Sequence, residues 1–135
     1  SRRQVNIESI SVGATENPNV SRITIIIDVA SHDEVEQIIK QLNRQVDVIR
    51  VRDITDKPHL EREVILIKVS APAEKRAELL AIIQPFRATV VDVAPSSITV
   101  QMTGNAEKNE ALLRVIRPYG IKNVARTGAT GFTRD

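Results

Sequence analysis

The sequence predicts an α+β protein of two tandem split-βαβ (βαββαβ) units, the first represented by four of its six elements. Three observations predict this. Apolar runs of period two alternate with runs of helical period in the order ββαβ, then βαββαβ. Each of the three helical runs carries an apolar quartet at i, i+3, i+4 and i+7. The most polar interval between apolar elements, Thr55-Asp-Lys-Pro-His59, separates the two sets.

Residues 5–12 read as a strand whose apolar phase slips midway: Val5 and Ile7 point to one face, Ile10 and Val12 to the other. The slip predicts a bulge that turns one end of the strand toward an interface and the other toward the core. Glu16-Asn-Pro-Asn19 lies in a turn. Residues 21–29 alternate cleanly, with Ile23, Ile25, Ile27 and Val29 on one face, so the two strands pair as a hairpin. Ser31-His-Asp-Glu34 is a capping box. It opens a helix to about Arg44 with the stripe Val35, Ile38, Ile39, Leu42. Val46, Val48, Ile49 and Val51 predict a strand over 45–53.

Residues 61–70 are apolar on both faces around Val64–Val69, the mark of a central strand. Pro72 fits the first turn of a helix to about Pro85, with stripe Leu79, Ile82, Ile83, Phe86. Strands follow at 87–94 and 96–103, turned by Pro95-Ser-Ser. Asn105 caps a third helix with stripe Leu112, Val115, Ile116, Tyr119, and Gly120 ends it. Residues 121–126 are the last strand, and Gly128-Ala-Thr-Gly131 begins a loose tail. The expected division is 1–54, a linker at 55–60, 61–127, and a tail at 128–135. The second unit is a complete ferredoxin-like arrangement. The first equals its last four elements, so one strand and one helix, roughly 20–25 residues, are expected ahead of Ser1. That strand would lie between 21–29 and 45–53.

Composition narrows the function classes. The 135 residues are 41% hydrophobic and 27% charged, with 19 basic against 17 acidic side chains and both signs mixed along the chain. A one-sign patch and stacking aromatics, the usual nucleic-acid footprint, are missing: only Phe86, Tyr119 and Phe132 are aromatic. No cysteine is present, which removes disulfide and thiolate chemistry and suits a reducing compartment. No run nears the roughly 18 apolar residues of a membrane helix.

Candidate chemistry is sparse. His32 opens a helix and His59 sits in the linker, without the spaced ligands of a metal site. No nucleophile–base set or phosphate loop assembles. Glu61-Arg-Glu63 reads as a solvated strand end or an ion-pair cluster. Arg2-Arg3 reads as an exposed helix end or an anion patch. Asn6, at the head of a strand, is either an edge or turn residue, or an amide offering donor and acceptor together to an amino-acid backbone.

Several runs resemble the regulatory (small) subunit of acetolactate synthase. They are Asn6-Ile-Glu-Ser-Ile-Ser-Val-Gly13, Ser21-Arg-Ile-Thr24, Lys40-Gln-Leu-Asn43, Val46-Asp-Val-Ile-Arg-Val51, Glu61-Arg-Glu63 with Ile67-Lys-Val69, Phe86-Arg-Ala-Thr-Val-Val-Asp-Val93 and Ala125-Arg-Thr-Gly128. They follow the family's order across nearly the whole chain. The resemblance implies an N-terminal ACT domain, a ferredoxin-like ligand-binding module, and a C-terminal domain of related topology. It implies a non-catalytic cytoplasmic subunit that activates a catalytic partner and confers feedback inhibition by branched-chain amino acids, mainly valine. Thiamine diphosphate, magnesium and FAD would belong to that partner, and none to this chain. The effector would sit between the ACT domains of a homodimer. Asn6 and Ile7 map onto one half of the effector site, and Gly13 onto a small-residue position near it; the other half would precede Ser1. Gln4 stands where the family usually has Gly. A different class, a stand-alone amino-acid sensor acting on another partner, shares the fold.

Overall fold

A computed structural model describes residues 6–29 and 31–135, so Arg2, Arg3, Gln4 and Val5 lie outside the described residues. The order is β1 (Asn6–Ala14), β2 (Ser21–Asp28), α1 (His32–Asn43), β3 (His59–Ser70), α2 (Ala73–Ile83), β4 (Thr89–Val93), β5 (Ser97–Gly104), α3 (Ala106–Ile116), β6 (Ile121–Arg126) and β7 (Thr130–Thr133). The chain divides into two compact units, residues 1–60 with 131–135, and residues 61–130.

In the first unit β1 and β2 form an antiparallel hairpin. The turn is held locally. The Thr15 hydroxyl donates to Val20 O at 2.8 Å, and Asn17 Oδ1 accepts from Asn19 N–H at 3.0 Å. A register shift falls between Ile7 and Ser9, leaving Glu8 as the extra residue of a bulge. The expected bulge is there, but its consequence is the reverse of the expected one. Ile7 pairs with Ile27, Ile10 with Ile25 and Val12 with Ile23. Ile23, Ile25 and Ile27 share a face by alternation, so Ile7, Ile10 and Val12 share it too. The bulge absorbs the odd residue and restores one apolar face.

Ser31 caps α1, its Oγ accepting from Glu34 N–H at 3.4 Å. Val35, Ile38, Ile39 and Leu42 are half-buried, as their spacing predicts, but no α1 residue is buried. The strand expected at 45–53 does not form. Val46 is 97% exposed and Ile49 79% exposed. A strand persists through its neighbours' hydrogen bonds, and among the described residues this sheet is β1 and β2 alone. With no adjacent strand, the apolar residues of 45–53 stay in a loop. Further on, the Thr55 hydroxyl and N–H both donate to Asp53 and hold its carboxyl below the usual range.

The second unit has the strand order β4-β5-β3-β6, with all described pairings antiparallel. Numbered within the unit this is 2-3-1-4, the ferredoxin-like order. β3 is central, as expected, but it alternates rather than being apolar on both faces. Ile65, Ile67 and Val69 are fully buried, while Leu66 is 39% exposed and Lys68 is exposed. The buried face is completed by Ile98, Val100 and Met102 of β5, and by Leu79 and Ile83 of α2 and Leu112, Leu113 and Ile116 of α3. Each such side chain contributes on the order of 1.5–3 kcal/mol when removed from water. β3 starts at His59, so that histidine is in the strand, not the linker, and its Nδ1 lies 2.8 Å from Lys57 O. Pro72 is the N-cap of α2, one place ahead of the expected first turn. Asn105 caps α3, accepting from Lys108 N–H at 2.8 Å. Gly120 closes the following turn at φ +101°, where a side chain would be strained. The tail is not loose: Ala129 is buried and β7 pairs with β3.

The stripe of α3 also differs. Val115 is partly exposed, and Leu113 takes its place. At the head of the true stripe stands Asn109, 0% exposed. Its Nδ2 donates to Glu63 O and Glu63 Oε1, both at 3.0 Å. Arg126 donates from Nε and Nη2 to the same Oε1, at 3.1 and 2.8 Å, and from Nη1 to Glu110. Glu63 is 4% exposed, so of the two readings of Glu61-Arg-Glu63 the ion-pair cluster holds for Glu63. Desolvation works to lower the Arg126 pKa, but its bonds to Glu63 and Glu110 outweigh this and raise it. Removing the guanidinium would leave a buried carboxylate with only an amide donor. Arg126→Ala should therefore cost about 2–3 kcal/mol, the buried-pair figure discounted for partial exposure. Glu63→Gln, which keeps an acceptor, should cost about 1 kcal/mol. Urea midpoints of the full chain check the ranking; equal losses would show that the ion pair carries no weight.

Candidate functional site

The three residues that the resemblance picks out all lie on β1. Asn6 heads the strand opposite Asp28, Ile7 follows opposite Ile27, and Gly13 pairs with Arg22 near the turn. All three are exposed. Adjacent strand residues point to opposite faces, so the Asn6 amide and the Ile7 side chain diverge, Ile7 lying on the apolar face. Asn6 and Gly13 are seven residues apart, about 20 Å along an extended strand. One chain does not bring them together.

What surrounds them is equally specific. Among the described residues β1 pairs with β2 alone in its sheet. A Cβ built on Gly13 meets nothing within 4 Å, and its φ is not in the left-handed range. The chain itself thus gives no steric or conformational reason for glycine there. The face bearing Ile7, Ile10, Val12 and Ile23 is open, with Val12 67% exposed.

Other chemistry is thin. Among the described residues no group of three or more His, Cys, Asp or Glu side chains is placed to hold a metal ion, and no helix is long and apolar enough to cross a membrane. The buried cluster of Glu63, Asn109 and Arg126 is the arrangement that sequence reasoning missed. The signal was available: Asn109, Leu112, Leu113 and Ile116 have the i, i+3, i+4, i+7 spacing, with a polar residue in the first place.

Strand order and helix placement put residues 61–130 in the ferredoxin-like class, and the hairpin with its following helix fits part of a second such module. Residues 62–135 match the family described as "Small subunit of acetolactate synthase", and residues 1–50 match the "AHAS small subunit-like ACT domain". An acetolactate synthase small subunit of Bacillus subtilis (strain 168) is 53% identical over 133 residues, covering 98% of this chain and 77% of the relative. One from Lactococcus lactis subsp. lactis (strain IL1403) is 59% identical over 133 residues, covering 98% and 84%. The crystal structure of an acetolactate synthase small subunit from Thermotoga maritima superposes with a TM-score of 0.84 at 33% identity, covering 99% of this chain and 83% of that one. The chain belongs to the acetolactate synthase small-subunit family.

The geometry at Gly13 yields a sharp expectation. Gly13→Ala should fold normally and be as stable as the parent, or more stable by about 0.4–1 kcal/mol, because alanine restricts the unfolded chain without straining the strand. Thermal unfolding of the full chain checks this. A clear loss of stability would show that the bare surroundings of Gly13 do not describe the folded chain.

Proposed function

We propose that this chain is a regulatory subunit that binds the catalytic subunit of acetolactate synthase, raises its activity and confers feedback inhibition by branched-chain amino acids, valine foremost. The observation that carries this reading is the family match spanning both units. In this reading the chain performs no catalysis and works in the cytoplasm beside its partner. Thiamine diphosphate, magnesium and FAD are held by the catalytic subunit. The ACT unit is assigned to residues 1–54 and the C-terminal unit to 61–127.

That β1 pairs with β2 alone in its sheet, among the described residues, supports a homodimer through the ACT units. An antiparallel pairing of β1 with β1 of a second copy satisfies the exposed backbone groups. It also runs the head of one strand toward the turn end of the other, so Asn6 of one copy approaches Gly13 of its partner. Such a junction offers an amide donor and acceptor for the effector's carboxylate and ammonium, and a bare glycine leaves room for them. The Ile7 backbone lies beside that junction, and its side chain adds apolar contact on the other face. Valine bound there lowers activity only if it prefers the inhibited arrangement to the activated one. That preference is a coupling free energy, typically about 1–3 kcal/mol, and it is reciprocal for binding.

Asn6→Ala in the full-length protein, reconstituted with the catalytic subunit, should abolish inhibition across a valine titration and leave activation intact. An unchanged inhibition curve sinks the assignment of Asn6. Loss of activation together with inhibition would instead mean that the substitution damages the subunit as a whole.

A further inference from the structure

Arg22 carries a charge that no carboxylate answers. Alternation along β2 puts Arg22, Thr24, Ile26 and Asp28 on the face opposite Ile23, Ile25 and Ile27. Paired residues share a face, so Gly13, opposite Arg22, and Asn6, opposite Asp28, lie on it too. Arg22 is exposed, and its side chain makes no ion pair among the described residues. What it has is an aromatic ring: its Cζ lies 5.7 Å from the centroid of Phe132, within cation–π range. Phe132 lies in β7, and residues 131–135 are part of the first unit, as Arg22 is. The tail is pinned by the Arg134 N–H, which donates to Pro58 O at 3.0 Å. The stack has a consequence at Gly13. A long side chain opposite a glycine is close enough to lie across it, yet the Cβ position of Gly13 has no heavy atom within 4 Å. Held on Phe132, Arg22 leaves that space open.

We propose that Arg22 is the cation that receives the effector's carboxylate, and that Phe132 holds it in reserve until the effector arrives. The inference rests on the effector reading above and adds a residue to it. A branched-chain amino acid brings a carboxylate, an ammonium and an apolar side chain. The Asn6 amide can hydrogen-bond either charged group but neutralises neither. Arg22 neutralises the carboxylate through the paired N–H bonds that a guanidinium offers. Because Arg22 is the residue paired with Gly13, the carboxylate comes to lie beside the bare glycine. The guanidinium then has two exclusive positions, on the ring or on the effector. Binding frees the ring, so the tail that carries Phe132 registers occupancy of a site on β1. The ring also competes with the effector for the cation, which sets the sign of what its removal does.

The test is the equilibrium binding of labelled valine to the full-length protein. Arg22→Gln should weaken binding about tenfold, because a charge-assisted pair is lost. Phe132→Leu should tighten it about two- to fivefold, because the competing stack is gone. Phe132→Trp, which strengthens the stack, should weaken it about twofold. In the Arg22→Gln background Phe132→Leu should change nothing, since no cation is left to release. Arg22 is exposed and Phe132 is 53% exposed, so the variants should fold, and thermal unfolding checks this. A Phe132 that served only to pack the tail would give weaker binding, or none, with leucine, and that result overturns the proposal. So does Arg22→Gln binding valine as the parent does. If Asn6→Ala abolishes binding while Arg22→Gln leaves it unchanged, the effector reading stands and this inference falls. A parent protein that binds no valine overturns both.

Discussion

Backbone pairing around β3 is the constraint on which the rest of the structure depends. This strand has β5 on one side, β6 on the other and β7 added along its length. Its polar main chain is therefore spent inside the sheet, and alternate side chains are free to become a dry surface. Ile65, Ile67 and Val69 take that position, and both helices of the unit close over it. Asn109 shows the same rule at side-chain scale. The Asn109 amide nitrogen, buried on an apolar helix face, is tolerable because Glu63 supplies two acceptors, and the Glu63 carboxylate is tolerable because Arg126 returns charge to it.

The sheet of β1 and β2 shows what happens when, among the described residues, pairing stops at two strands. Among the described residues from Asn6 to Leu60, none is buried as a whole residue. A hairpin alone is marginal in water, and here, among the described residues, one apolar face lies open. The sequence of 45–53 is as apolar as that of many strands, yet it remains a loop. Period and β-branching describe what a strand can bury. They do not supply a neighbour.

This distinction explains what could be read from the sequence and what could not. Helices were legible because their hydrogen bonds are internal: Ser31 and Asn105 cap where their side chains and spacing said they would. The βαββαβ order of the second unit was legible because each strand's partner lies within the unit. The strand at 45–53 was not, because among the described residues no strand lies beside it to pair with. At β1 the phase slip was visible in the spacing of Ile7 and Ile10, but its meaning was not. A slip is equally compatible with a strand that changes face and with a bulge that prevents the change. Only the register, Ile7 with Ile27 and Ile10 with Ile25, selects the second.

The same reasoning bears on how a small subunit with little chemistry of its own can regulate. Asn6 and Gly13 sit at opposite ends of one strand, so any site that uses both is completed by another chain. A ligand at such a junction interacts with the assembly rather than with a fold already formed. Its binding energy can then act directly on how copies are arranged. Because β1 belongs to the unit with no buried core, rearranging it disturbs few packed contacts. The second unit, with its closed core and its Glu63–Asn109–Arg126 cluster, is the part built to keep its shape. In the proposed reading the effector acts on the edge-exposed unit and leaves the packed core of the second unit intact. Such a preference is worth only a few kcal/mol in coupling, and an open hairpin edge can supply it where a packed core cannot.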